Sequence, residues 1–178
     1  MNYRWKIPTE SAVFVTEILA ADRISAAALL NNREIFERLL LVPHPYSEAD
    51  FDDFYQRCQA YLEKHGHPAS FAIRDVDGTM VGGVGFKELV KGHRCDIGYW
   101  LGRPYWGQGI MTSVVRAMTE FAVREWNLVR VSAHVFSTNA ASAQVLKKAG
   151  FEYEGRLKKC LKKGEQFLDA KVYARITD

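Results

Sequence analysis

Between Arg103 and Thr112 the chain reads RPYWGQGIMT, with Gly107 and Gly109 set around Gln108 after an apolar run and ahead of a helical-looking segment. Glycines there let the backbone turn sharply and let an anion approach without meeting a Cβ. A helix opening at that point aims unpaired backbone N–H groups at one spot, and its dipole adds partial positive charge. Thr112 would add a hydroxyl in the first helical turn. The chemistry such a turn suits is the binding of a phosphate or pyrophosphate. Taken alone, the pattern is also that of a plain strand-to-helix turn. No Gly-Lys-Ser/Thr follows, as a Walker loop requires, and Thr112 stands where a GxGxxG dinucleotide fingerprint needs its third glycine.

A second polar constellation lies one strand downstream, in STNAASAQVLKKAGF, residues 137–151. Asn139 and Ser142 stand at the N-terminal end of a short helix, after a buried-looking strand. In a parallel strand pair both C-terminal ends open on one sheet edge, where α/β proteins bind ligands. The glycine turn and the Asn139/Ser142 turn are therefore expected to be neighbours.

Other candidate chemistry is weaker. His65 and His67 flank Gly66 without a third ligand and read as plain loop residues. Cys58, Cys95 and Cys160 are far apart, with no CxxC spacing, so neither a zinc site nor a disulfide framework is expected and a reducing compartment fits. The basic run from Lys147 to Lys163 reads as a solvated helix end and hairpin that could draw phosphates or an acidic acceptor. Tyr99, Trp100, Tyr105 and Trp106 read mainly as core and wall packing.

The elements that must position these residues follow from pattern. With 178 residues, 48% hydrophobic and 25% charged, the chain is one globular domain's worth, with no linker or repeat to divide it; residues 1–178 are read as a single domain. The net charge of +3 is too mild to imply nucleic acid. The start lacks the apolar core of a signal peptide, and no run is long enough for a membrane helix, so a soluble cytoplasmic protein is expected.

Residues 12–19 read as a strand, and 21–32 and 33–41 as helices, with Asp22 near the first start. Pro43 and Pro45 break the chain. Ser47 and Asp50 form a weakened capping box for a helix to about Lys64. Residues 70–75 and 79–89 flank Asp77-Gly78, which predicts a hairpin with a type I′ turn. Residues 94–101 are a further strand. Met111, Val114, Val115, Met118, Phe121, Ala122 and Trp126 form one helical stripe. Residues 128–136 read as a strand buried on both faces. Asn139 caps the helix that follows, Gly150 stops it, and two antiparallel strands finish the chain. The strand–helix–strand passage implies a right-handed crossover within a mixed sheet. The fold class is α/β (α+β), in three layers.

Taken together, IGYWLGRPYWGQGIMT and STNAASAQVLKKAGF resemble the GNAT acyltransferase superfamily, and within it the branch holding the bacterial ribosomal-protein N-acetyltransferases. PHPYS and LDAKVYARI resemble that branch too, so the likeness covers essentially the whole chain. It implies a sheet whose central parallel strands splay to hold acetyl-CoA. The pantetheine would bond to the backbone around Trp100, Leu101 and Gly102. The pyrophosphate would sit on the amides of Trp106, Gly107, Gln108, Gly109, Ile110, Met111 and Thr112. Asn139 would contact the pantetheine arm, Ser142 would lie near the thioester sulfur, and Lys147 or Lys148 would reach the phosphates. The chain departs from the superfamily pattern at Trp106, which takes the Arg/Gln position, and at Met111, which takes a small-residue position and would narrow the site.

Acyl transfer needs a neutral amine, an oxyanion donor and a proton for the leaving thiolate. Many superfamily members use a Tyr for that proton, but its matching position here is Leu146. Ser142 is the substitute expected from its place. Asp96, where some members carry Glu, is the candidate base. Glu88, His93 and His134 rank behind it as structural residues, and Leu161 occupies another position where relatives carry Glu. The sequence therefore reads as an N-acetyltransferase moving acetyl from acetyl-CoA to a primary amine, either a small molecule or a peptide N-terminus. It would need no metal, nucleic acid or membrane, and a homodimer is left open. The competing reading is a non-catalytic acyl-CoA-binding regulatory module. A nucleotide-dependent oxidoreductase would rest on the Gly-x-Gly turn alone.

Overall fold

A computed structural model describes residues 3–177. The strands are β1 (Lys6–Pro8), β2 (Phe14–Glu17), β3 (Ser70–Arg74), β4 (Met80–Val90), β5 (Arg94–Leu101), β6 (Arg130–Phe136), β7 (Glu152–Lys163) and β8 (Gln166–Ile176). The helices are α1 (Arg23–Leu30), α2 (Arg33–Arg38), α3 (Glu48–His65), α4 (Ile110–Trp126) and α5 (Ala140–Lys148), with 3₁₀ turns at Ala20–Asp22 and Arg103–Tyr105. The strands lie in one mixed sheet, in the order β1-β2-β3-β4-β5-β6-β8-β7. β5 and β6 are parallel, with Arg94, Cys95 and Asp96 registered on Arg130, Val131 and Ser132, the opening residues of both strands. Beyond Ser132, β6 continues its antiparallel ladder with β8 as far as Phe136. The mixed α/β class expected from the sequence is the one observed.

Two compact units make up the chain. One comprises the residues up to Gly85 with Tyr99–Ile110, and the other Phe86–Gly98 with the residues from Met111 on. In the first, Ile18, Ala26, Ala27, Leu30, Ile35, Tyr46, Phe51, Ala72 and Met80 form an apolar core. Ser47 and Asp50 do form a capping box at the start of α3, and Gly66 closes the helix in the left-handed region, with φ 75°. α2 ends at Arg38 rather than Leu41, because Leu39 turns extended and packs against that core. β1 is a short edge strand that the sequence pattern did not announce.

The β3–β4 hairpin is present, but its turn is not type I′. Of its residues only Gly78 has a positive φ, at 86°. The Gly78 N–H donates to the Asp75 carbonyl at 3.0 Å, and the Asp75 side chain accepts from the Asp77 and Thr79 amides. This is a three-residue loop with a left-handed glycine at its end. The Asp75 carboxylate holds the turn, so Asp77 never needs the left-handed region.

In the second unit the α4 stripe is buried as expected, and Phe86 and Phe121 each meet Trp126 edge-on, at 5.0 and 5.7 Å between centroids. β6 starts at Arg130 rather than residue 128. Asn139 caps α5, its side chain accepting from the Ser142 amide at 3.1 Å. Gly150, with φ 87°, stops the helix, and the Phe151 amide returns to the Leu146 carbonyl at 3.0 Å. β7 and β8 are antiparallel, with β7 at the sheet edge and kinked between Leu157 and Leu161.

Candidate active site

The glycine turn begins where β5 ends. Close approach is built in there: a Cβ on Gly82 would lie 2.6 Å from the Trp100 carbonyl oxygen, and one on Gly83 2.6 Å from the Trp100 indole nitrogen. The Gly102 amide donates to the Val81 carbonyl at 2.8 Å, so that N–H is already used. Arg103–Tyr105 makes one 3₁₀ turn with Pro104 in its first positions, where a missing N–H costs nothing. Gly107 and Gly109 then take φ of 78° and 77°, and a Cβ on either would meet nothing within 4 Å. The backbone therefore demands glycine while the space beside it stays open. α4 follows directly for 17 residues, so the amides of Ile110, Met111 and Thr112 lie in its first turn, without intrahelical acceptors.

Trp106 anchors this turn. Its indole N–H donates to the Leu101 carbonyl at 2.7 Å, and the guanidinium groups of Arg38 and Arg103 each lie 4.9 Å from its ring. Arg103 also pairs with Glu34 of α2 at 3.3 Å. The residue that departs from the superfamily pattern thus fastens the turn to α2 and gathers two cations beside it. Gln108 is exposed and its side-chain amide donates to the Pro104 carbonyl. Ile110 and Met111 are buried, so Met111 spends its bulk in packing.

In the second unit, Asp96 sits in a polar cluster. The Ser132 hydroxyl donates to Asp96 Oδ1, and His134 Nδ1 lies 3.2 Å from Asp96 Oδ2. Arg130, on the same face of β6, makes a two-pronged pair with Glu154. That bond, with help from Asp96, raises the Arg130 pKa, and the bond from Arg130 alone holds the Glu154 carboxyl below its ordinary range. Burial, reinforced by Asp96, pushes the neighbouring Cys95 thiol up to about 12 and keeps it neutral. The sequence ranked His134 behind Asp96. Strand alternation carried the missing signal, since Ser132 registers on Asp96 and His134 is the next residue on that face.

At the end of β6, Asn139 uses its side-chain oxygen on the Ser142 amide, so the cap does not depend on the Ser142 hydroxyl. Leu146 is fully buried and offers no chemistry. Lys148 is exposed in the last turn of α5, and its carbonyl accepts from Arg116 of α4, a cation the sequence reading passed over. His65 and His67 pack with Tyr61, at 4.2 and 5.8 Å between centroids. Among the described residues no group of three or more His, Cys, Asp or Glu is arranged to hold a metal, and no helix is long and apolar enough to cross a membrane.

A mixed α/β sheet with a glycine turn opening a helix after a central strand defines a fold class rather than an activity, and comparison with known proteins narrows it. The acetyltransferase (GNAT) domain model matches residues 14–152. Probable N-acetyltransferase YjcK of Bacillus subtilis is 32% identical over 154 residues, covering 80% of this chain and 81% of that protein. The ribosomal protein uS5-alanine N-acetyltransferase of Escherichia coli is 31% identical over 119 residues, covering 65% of this chain and 61% of that enzyme. The solved structure of RimL, a ribosomal L7/L12 alpha-N-protein acetyltransferase in complex with coenzyme A, matches in fold with a TM-score of 0.86 at 23% identity, over 98% of this chain and 99% of that one. The chain belongs to the GNAT acetyltransferase family.

Proposed function

We propose that this protein transfers acetyl from acetyl-CoA to a primary amine, on a peptide N-terminus or a small molecule, by direct attack within a ternary complex. The observation that carries the reading is the glycine turn: two left-handed glycines with open space beside them, set at the N-terminus of α4, in a chain of the GNAT family. Backbone N–H groups from Trp106 to Thr112 would hold the pyrophosphate, with Gly107 and Gly109 giving access and α4 supplying partial positive charge. Lys148 would add charge toward the phosphates. The strand end Trp100–Leu101–Gly102 would bond the pantetheine through groups other than the Gly102 N–H, which Val81 already occupies. Asn139 would contact the pantetheine arm. Ser142 would hand a proton to the thiolate, the Tyr alternative being closed by a buried Leu146. The amine's proton would leave toward the cluster around Asp96.

The test is to mix pure protein with acetyl-CoA and a broad panel of amines and peptides, reading products by mass spectrometry and CoA binding by calorimetry. Acetylated product identifies the acceptor. No product and no CoA binding would sink the reading. CoA binding without turnover across the panel would support a non-catalytic acyl-CoA-binding module, the reading that the absent Tyr favours.

A further inference from the structure

The inference drawn here deepens the acetyl-transfer reading and rests on it. Asp96, Ser132 and His134 form a polar set in which the Ser132 hydroxyl donates to one carboxylate oxygen and His134 Nδ1 lies 3.2 Å from the other. A neutral imidazole whose Nδ1 faces a carboxylate oxygen at that distance favours the tautomer with the proton on Nδ1, which leaves the lone pair on Nε2. Exposure separates the members further: the Asp96 side chain is 18% exposed and the His134 side chain 37%. From Val131 through Val135, β6 is buried except at His134. The same strand runs directly into the turn that carries Asn139 and Ser142.

We propose that His134 is the base that takes the proton from the incoming ammonium, with Asp96 and Ser132 as positioning residues. The charges around it suit the task. On β5, Asp96 lies 3.2 Å from it, and Arg94 is paired with Glu88. On β6, Arg130 is paired with Glu154 of β7. On β8, His134 is registered on Val172, with Ala170 and Ala174 to either side on that face. Lys163, beyond, lies 6.0 Å over the Phe136 ring. The charged group nearest the ring is Asp96.

The ammonium gives one proton to His134 Nε2. The freed nitrogen lone pair attacks the thioester carbonyl carbon, forming the C–N bond. The C–S bond breaks with its electron pair on sulfur, and the thiolate takes a proton from the Ser142 hydroxyl. Serine regains a proton lost by the new amide nitrogen, and His134 releases its own to solvent.

The experiment measures kcat/KM for the amine against pH in wild type, His134→Gln, His134→Ala and Asp96→Asn, with CoA binding as a check on folding. His134→Gln should lose roughly 100-fold near neutral pH, the scale of general-base catalysis, and its rate should then track the free amine fraction. Asp96→Asn should lose about tenfold through a misdirected ring. Added imidazole should restore part of the His134→Ala rate. A merely structural histidine would move neither the pH profile nor the imidazole response. Wild-type turnover with a His134→Gln profile unchanged in shape overturns this inference and leaves acetyl transfer standing. A wild type that neither binds CoA nor makes product overturns both.

Discussion

Ser142 supplies the thiolate's proton in the proposed scheme, and its position allows a clean separation of binding from chemistry. Asn139 caps α5 through the Ser142 amide, a bond that survives loss of the hydroxyl. Ser142→Ala should therefore leave CoA binding intact while lowering kcat by about tenfold or more, the signature of an interaction made only in the transition state. Equal kcat in the variant would remove Ser142 from the mechanism. Gly109 makes a complementary case. Its φ of 77° disfavours any side chain, while the space around a new Cβ is empty. Gly109→Ala should thus cost about 1–2 kcal/mol of backbone strain without a clash, and raise the KM for acetyl-CoA as the amides shift. An unchanged KM would mean the turn holds no pyrophosphate. Such a turn is legible in sequence because the requirement for positive φ is local. The arginines about Trp106 were not, since one of them arrives from α2, far away in the chain.

The start of α3 was legible for the same local reason. Ser47 and Asp50 bond each other reciprocally, and the Ser47 hydroxyl and then its amide, both donating to the Asp50 carboxylate, hold that carboxyl below its ordinary range. The sign follows. A carboxyl whose folded pKa is depressed adds stability above its unfolded pKa of about 3.9, and that stability fades as pH falls through the lower folded value. Asp50→Asn should be less stable than wild type near neutral pH, and the gap should narrow below about pH 4 as the wild-type carboxyl is protonated. Urea midpoints measured across that range check it, and a gap independent of pH would contradict it. The β3–β4 turn was the harder element. Asp77-Gly78 suggested the two-residue turn that this dipeptide favours, but the Asp75 side chain captured the turn amides first. Competition between two acidic residues spaced by one position is a contest of geometry that spacing alone does not decide.

Across the whole molecule, alternation of strands and helices revealed the mixed sheet and the β5–α4–β6 crossover, because hydrophobic period is set by burial and burial by layer. Contacts between distant segments were invisible, and Asp22 shows why. As a helix-start residue it looked sufficient, bonding the Leu19 amide at 2.8 Å. It also meets the buried guanidinium of Arg74 at 2.6 and 2.9 Å, while Arg74 reaches Thr16 and the carbonyls of Glu17 and Gly78. One ion pair therefore ties β2, β3, the 3₁₀ turn and the hairpin together, with Arg74 only 1% exposed and Asp22 4%. Removing one partner strands a charge in the core, which costs about 3–5 kcal/mol, far more than the net worth of the pair. Asp22→Leu alone should lower the denaturant midpoint sharply. Adding Arg74→Met should recover most of the loss, because no unpaired charge then remains to be desolvated. If the double variant were as unstable as the single, the cost would lie in the lost bonds to Thr16, Glu17 and Gly78 rather than in the orphaned charge.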